Sequence, residues 1–224
     1  MEGLNMKEIS LVKGDKVRSV AVAGVFSALT VLLAVIPFLG YIRISPLISF
    51  TILHVPVILA AVFGGPVSGM IVGLVFGITS LINATINPPT WLTPFLLDPR
   101  CSVLARIMIG LVAGLVFKVL CIPRVVPRTA AAAVTGFVGS LSNTVGLFTT
   151  MYVFHGQEAL AVIMEKTGDT GKSYVGLLAA LLGIGPVVEA VGAAVLCALV
   201  VGAVSVGSYA RRRGSKLSKE LPSD

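Results

Sequence analysis

The chain has 224 residues, of which 56% are hydrophobic and only 12% are charged. An ordinary soluble domain has about 25% charged residues, and so apolar a chain has too little polar surface to cover a soluble fold. The hydrophobicity also excludes disorder, and three cysteines are too few for a disulfide scaffold. The composition therefore predicts an all-α integral membrane protein.

Six apolar stretches are candidates for membrane-spanning helices, each of which needs about 20 residues. They are residues 17–38, 46–63, 66–86, 102–121, 129–154 and 186–206. A turn at Gly64-Gly65-Pro66 separates the second from the third, and Pro186 suits the first turn of the sixth. We expect a cytoplasmic N-terminal tail (1–16), a six-helix domain (17–209) and a cytoplasmic C-terminal tail (210–224).

The basic residues predict the orientation of this bundle in the cell membrane. Twelve of the 17 Lys and Arg residues fall in segments on one side, which include both termini, and cytoplasmic segments carry this excess. The net charge of +7 therefore indicates topology, not nucleic-acid binding. Both termini are predicted to be cytoplasmic, with outer connections at residues 39–45, 87–101 and 155–173.

Two charged residues inside the spans are candidates for substrate binding. Arg106 lies one turn into the fourth span and Glu189 one turn into the sixth, both in the predicted outer half. Because a charge in the membrane is costly, each should face the bundle interior and have a partner. Either they form a structural ion pair, or they bind a polar solute. Snorkelling of Arg106 to the lipid head groups is a further alternative.

Uncharged polar groups give a second set of candidates. Asn143 lies in a polar stripe that favours a cavity along the fifth helix, and Ser140, Ser142 and Thr144 share this stripe. His54 is best explained by hydrogen bonding between helices, and Asn83 has the same ordinary explanation. The predicted outer ends carry further candidates for substrate binding, either as an interfacial belt or as a cover over the solute. These are Tyr41, Arg43 and Trp91, which with Asn83 complete the predicted substrate-binding set.

No catalytic or metal site is predicted. Residues 168–173 end like a phosphate-binding loop, but Lys166 stands where that motif requires its first glycine. The two histidines cannot form a His-Glu-x-x-His zinc motif, and neither a Gly-x-Ser-x-Gly nor a Cys-x-x-Cys motif is present. The sequence therefore predicts a non-enzymatic protein with no cofactor of its own.

The first predicted helix carries a smooth face. Ala23 and Ser27 are four residues apart, as are Gly24 and Ala28, and residues at this spacing share a helix face. Small residues allow another helix to approach closely. The face packs either within the bundle or against a helix of a partner protein.

The hairpin between the second and third spans resembles a known family. Residues 48–58 (ISFTILHVPVI), the Gly64-Gly65-Pro66 turn, Gly69 and residues 73–80 (GLVFGITS) are similar to the substrate-binding S components of energy-coupling factor (ECF) transporters. The likeness is strongest to the pantothenate-like vitamin branch.

Three other segments carry the same resemblance. Residues 106–110 (RIMIG) are similar to the start of the family's fourth helix, and Pro186 with Glu189 resembles its last helix. Gly24 and Ala28 resemble the Ala-x-x-x-Ala motif, with glycine in place of the first alanine. In the family, this motif docks on the transmembrane coupling subunit.

The resemblance implies a subunit that captures a vitamin from outside the cell. Pantothenate is the first candidate, with riboflavin or another vitamin as alternatives. The subunit would associate with a coupling subunit and two cytoplasmic ATPases, and these would hydrolyse the ATP. From the residues alone, a stand-alone secondary transporter, a membrane enzyme or a structural subunit remain alternatives.

Overall fold

The computed structural model describes residues 6–36, 40–43, 49–86, 92–122, 126–168, 173–176, 179 and 184–220. Its helices are α1 (Met6–Val35), α2 (His54–Gly64), α3 (Pro66–Ile86), α4 (Thr93–Leu96), α5 (Ala105–Cys121), α6 (Arg128–Thr167) and α7 (Gly185–Glu220). A π-helical turn, Arg100–Leu104, leads into α5. Two short antiparallel strands, β1 (Tyr41–Arg43) and β2 (Ser49–Thr51), precede α2, with Tyr41 opposite Thr51.

Five helical segments in the described ranges are long and apolar enough to cross a membrane. They are Lys16–Val35, Pro66–Ile86, Arg100–Cys121, Arg128–Thr167 and Gly185–Gly207. The prediction of a multi-pass helical membrane protein is thereby confirmed, whereas the N-in/C-in orientation stays a prediction. The predicted second span differs, because its residues 49–51 form β2. The helix α2 that follows has 11 residues, or about 16 Å, which is short for a hydrocarbon core of about 30 Å.

Helix α2 lies at the centre of the bundle. Its residues from His54 to Val62 are all buried, as expected for a helix that is hydrophobic on every side. The turn into α3 has Gly65 at a φ of 87°, a conformation that favours glycine, and this confirms the predicted turn. Ser19 of α1 donates from Oγ to the carbonyl oxygen of Gly64 at 3.1 Å, which links α1 to this turn.

Helix α6 is the largest departure from the predicted spans. It has 40 residues and continues through most of the predicted outer connection 155–173, with a kink at His155 (φ −133°, ψ 30°). Beyond the kink, Ala159 and Ile163 are four residues apart and fully buried, so this segment is an amphipathic helix with an apolar face. The described part of the connection 87–101 also contains α4. Helices α1 and α7 extend into both predicted tails.

Helices α3 and α5 run antiparallel with their backbones in contact. Gly69, Gly73 and Gly77 recur every four residues and form one face of α3. A Cβ atom on Gly69 would lie 2.9 Å from Cα of Gly110, and one on Gly77 would lie 2.6 Å from Cα of Val103. We call this contact the glycine seam. Small residues at such crossings allow close packing in membranes, and here they fix the position of α5 against α3.

The buried apolar residues form two clusters along the bundle. The first cluster surrounds α2 and includes Leu53, Val57, Phe76, Ile109, Ala132 and Cys197. The second includes Ala84, Phe95, Cys101, Ala105, Leu147, Phe148, Met151 and Ala159. Tyr174 packs against the second cluster and donates from its hydroxyl to the carbonyl oxygen of Phe148 at 3.1 Å. Helices α3, α5 and α6 each contribute residues to both clusters.

Candidate functional site

Polar residues lie where the helices pass from one apolar cluster to the other. On α5, Arg106 lies between Ala105 of the second cluster and Ile109 of the first. On α3, Ser80 lies between Phe76 and Ala84 in the same way. On α6, Ser140 and Asn143 lie between Ala132 of the first cluster and Leu147 of the second. We call these residues, together with His54 at the start of α2, the polar layer; it comprises His54, Ser80, Arg106, Ser140 and Asn143.

Three members of the polar layer have buried polar atoms with unused hydrogen-bonding capacity. His54 and Ser140 are each 1% exposed, and among the described residues neither the His54 ring nitrogens nor the Ser140 hydroxyl has a hydrogen-bond partner. The Oδ1 atom of Asn143 is also buried, and it likewise has no hydrogen-bond partner among the described residues. Leaving such a group unsatisfied costs about 1–3 kcal/mol, and native structures rarely do so without a ligand or water. The layer is therefore suited to a polar ligand.

Helix packing brings His54 and Asn143 to the same level. A Cβ atom on Gly139 of α6 would lie 2.8 Å from the side chain of Ile58 on α2. The two helices run in opposite directions, because α3, α5 and α6 each reverse the direction of the one before. One turn from this contact therefore leads to His54 on α2 and to Asn143 on α6. The two residues therefore lie at a similar depth in the bundle.

Arg106 supplies a cation to the polar layer. Its side chain is buried, with 6% exposed. Nη1 donates to the carbonyl oxygen of Cys101 at 3.3 Å, and the guanidinium carbon lies 5.5 Å from the ring centroid of Phe76. Such a contact favours a cation through the ring quadrupole. Since arginine stays protonated in proteins, Arg106 is a fixed positive charge in the interior and does not snorkel.

Glu189 does not form the ion pair with Arg106 that the sequence suggested. Its Oε1 atom accepts a hydrogen bond from the backbone N–H of Thr51 at 2.7 Å. The carboxylate thus links α7 to β2, three residues before His54. Among the described residues, no ion pair joins Glu189 to Arg106, so the structural ion pair that the sequence offered as one alternative is not formed.

The polar layer as defined does not include the other four predicted binding residues. Asn83 is half-buried on α3, three residues beyond Ser80. Tyr41 and Arg43 are placed by their backbone in β1, whereas Trp91 lies outside the described residues. Whether these four bind substrate stays a prediction. The sequence predicts a hydrogen bond between helices for His54, which the described residues do not provide, and it names Ser140 only as part of the stripe of Asn143.

The predicted smooth face of α1 divides into two parts. Ala23 is 5% exposed and belongs to the first apolar cluster, and Ser27 is half-buried. Gly24 and Ala28 are exposed, and a Cβ atom on Gly24 would meet nothing within 4 Å. Exposed apolar side chains surround them, including Val17, Val20, Val25, Val31 and Leu32. One small-residue pair therefore packs inside the bundle while the other remains uncovered.

Comparison with known proteins identifies the family. The family model described as "ECF transporter, substrate-specific component" matches residues 18–204. The chain belongs to this family. The resemblance of the α2–α3 hairpin is thereby confirmed, and so is the prediction of a transporter component that is not an enzyme. As an ECF substrate-specific component, the chain is a membrane protein that serves the uptake of a small molecule.

Two curated relatives of this ECF component carry similar names. The pantothenic acid transporter PanT of Lactococcus lactis subsp. cremoris (strain MG1363) is 27% identical over 210 residues, which cover 86% of this chain and 96% of the relative. The pantothenate transporter PanT of Leuconostoc mesenteroides subsp. mesenteroides (strain ATCC 8293) is 28% identical over 174 residues, which cover 76% and 82%.

Proposed function

We propose that this chain is the pantothenate-binding subunit of an ECF-type importer. The polar layer carries the proposal, because it combines a buried cation with unsatisfied hydrogen-bonding atoms between two apolar clusters. Pantothenate combines a carboxylate, an amide and two hydroxyl groups with a branched apolar centre. Its chemistry matches these surroundings, and the names of the two relatives support the same vitamin.

Each part of the ligand has a counterpart in the polar layer. The Arg106 guanidinium pairs with the carboxylate, because arginine donates to both oxygens of such a group. Ser140 and Asn143 on α6, with His54 on α2, exchange hydrogen bonds with the hydroxyls and the amide. The branched carbon centre packs against apolar neighbours such as Ile109. The ligand thereby satisfies buried polar atoms that otherwise cost free energy.

The transport cycle follows the family pattern implied by the sequence. The chain captures the vitamin at the outer face, with both termini cytoplasmic. It then associates with a transmembrane coupling subunit, and two ATPase subunits hydrolyse the ATP. The exposed pair of Gly24 and Ala28 on α1 is the proposed docking surface, because nothing in the described bundle covers it.

A binding titration with matched arginine variants tests the site. We would titrate the purified protein in detergent with pantothenate by calorimetry, and compare Arg106→Ala with Arg100→Ala. Arg100 has the same charge, but its side chain is 70% exposed. Losing the buried guanidinium should cost about 2 kcal/mol, or roughly thirtyfold in affinity. Arg100→Ala should bind as wild type does.

Two results would contradict the proposal in different ways. Equal weakening by both arginine substitutions, or none by either, would mean that Arg106 is not the carboxylate partner. If the wild-type protein binds riboflavin or another vitamin and ignores pantothenate, the substrate assignment is wrong even though the site stands. An Arg106→Lys variant separates charge from shape, since lysine keeps the charge but not the planar geometry.

A further inference from the structure

Three metal-ligating side chains meet at the end of the bundle beyond the polar layer. Asp98 follows α4, Cys101 lies in the π-helical turn, and His155 occupies the kink of α6. One ligand atom from each lies within 4.8 Å of the other two. The Nε2 atom of His155 is 2.9 Å from Oδ2 of Asp98. We propose that these three side chains bind a zinc-type transition-metal ion.

The chemistry of the three ligands selects the class of metal. Thiolate and imidazole ligands suit zinc and similar transition ions, whereas calcium and magnesium take oxygen ligands. Zinc lies about 2.0–2.3 Å from such ligand atoms, so tetrahedral geometry places the ligands about 3.3–3.7 Å apart. The Asp98–His155 separation is 2.9 Å and no pair is more than 4.8 Å apart, so shifts of up to about 1.5 Å would close the site. Three protein ligands leave the fourth position to water.

Neighbouring groups orient two of the ligands as a metal site requires. Oδ1 of Asp98 accepts a hydrogen bond from the backbone N–H of Arg100 at 2.8 Å, which directs Oδ2 towards His155. On the other side of the ring, Nδ1 of His155 lies 3.4 Å from Oε2 of Glu158. A ligating histidine normally gives its second N–H to a carboxylate or carbonyl, which fixes the tautomer. Here Glu158 lies on the Nδ1 side of the ring, and a metal ion bound at Nε2 would take the place of the present contact between Nε2 and Oδ2 of Asp98.

The cluster is held by the fold and is partly exposed at its edge. Cys101 is fully buried, and the ring of Phe95 contacts His155 edge-on at 5.7 Å between centroids. The side chains of Asp98 and His155 are 19% and 25% exposed, so an ion could enter past them. On binding, Cys101 would lose its thiol proton to solvent and bind as thiolate. The metal would join the α4 region to the kink of α6.

The test is metal binding to untagged, chelator-treated protein in detergent, with Zn²⁺ alone and then Co²⁺ alone as probes. We expect one Zn²⁺ per chain and a thiolate-to-cobalt charge-transfer band in the near ultraviolet. Cys101→Ser should abolish the band, and His155→Gln should weaken Zn²⁺ affinity about tenfold or more, since even partners outside the metal shell matter that much. The control is Cys197→Ser, which removes an equally buried thiol from the first apolar cluster.

Several outcomes would overturn the proposal. Folded wild-type protein that binds no Zn²⁺, or whose Co²⁺ complex lacks the thiolate band, has no such site; this measurement needs no variant to fold. Zn²⁺ affinity that survives both Cys101→Ser and His155→Gln would place the ion elsewhere. The contact of Asp98 with His155 would then be only a hydrogen bond or ion pair that joins the two segments.

Discussion

The glycine seam makes a sharp prediction for Gly73→Ala. The added Cβ atom would overlap the carbonyl oxygen of Arg106 and lie 2.9 Å from its carbonyl carbon and 3.1 Å from Cα of Ile107. These are backbone atoms and cannot rotate away, so α3 and α5 must separate. Overpacking of this kind costs about 1–3 kcal/mol, and the higher helix propensity of alanine offsets up to about 1 kcal/mol. The net loss should be about 1–2 kcal/mol.

Thermal unfolding in detergent measures this loss. For a chain of this size, 1–2 kcal/mol corresponds to a fall in Tm of roughly 2–8 °C. Gly192→Ala is the matched control, because a Cβ atom at this exposed helical position on α7 would meet nothing within 4 Å. It should leave the Tm unchanged or raise it. If Gly73→Ala melts at or above the wild-type temperature while Gly192→Ala behaves as expected, the backbone contact between α3 and α5 is not as close as described.

Two further predictions concern docking and topology. Gly24→Leu or Ala28→Leu should block association with the coupling subunit and leave vitamin binding unchanged, because both positions are exposed on α1. If the variants co-purify with the coupling subunit as well as the wild-type protein does, the proposed docking surface is wrong. Cysteine labelling from outside intact cells should modify Lys166→Cys or Thr170→Cys and spare Ser215→Cys, with the reverse pattern contradicting the predicted orientation.

The helical architecture could be predicted from the sequence because membrane spans depend mainly on the length of apolar runs. The same criterion misjudged two elements. Residues 46–63 are mostly apolar, yet residues 49–51 form β2, since a largely apolar run has no clear periodicity to separate strand from helix. In α6, the charged residues after His155 suggested a loop. Ala159 and Ile163 instead form a buried helical face, and Ala159 belongs to the second cluster.

The candidate site was predicted in its parts and not in its contacts. An arginine and a mid-span asparagine are conspicuous against an apolar background, so the sequence singles out Arg106 and Asn143 as candidates. It singles out Glu189 too, but the partner of Glu189 is the backbone of Thr51, and no side-chain pattern reveals a backbone donor. The Asp98–His155 contact joins residues 57 positions apart. It depends on the kink in α6, which the sequence did not indicate.

The distribution of burial separates the proposed ligand site from the proposed docking surface. In α3, α5 and α6, 39% of the apolar span is buried inside the bundle, against 11% in α1. The polar layer thus lies on helices that hold one another through close contacts such as the glycine seam. Helix α1 rests on their side and is linked to the α2–α3 turn through Ser19. A partner helix could therefore dock on Gly24 and Ala28 without displacing Arg106, since the docking surface and the polar layer share no residue.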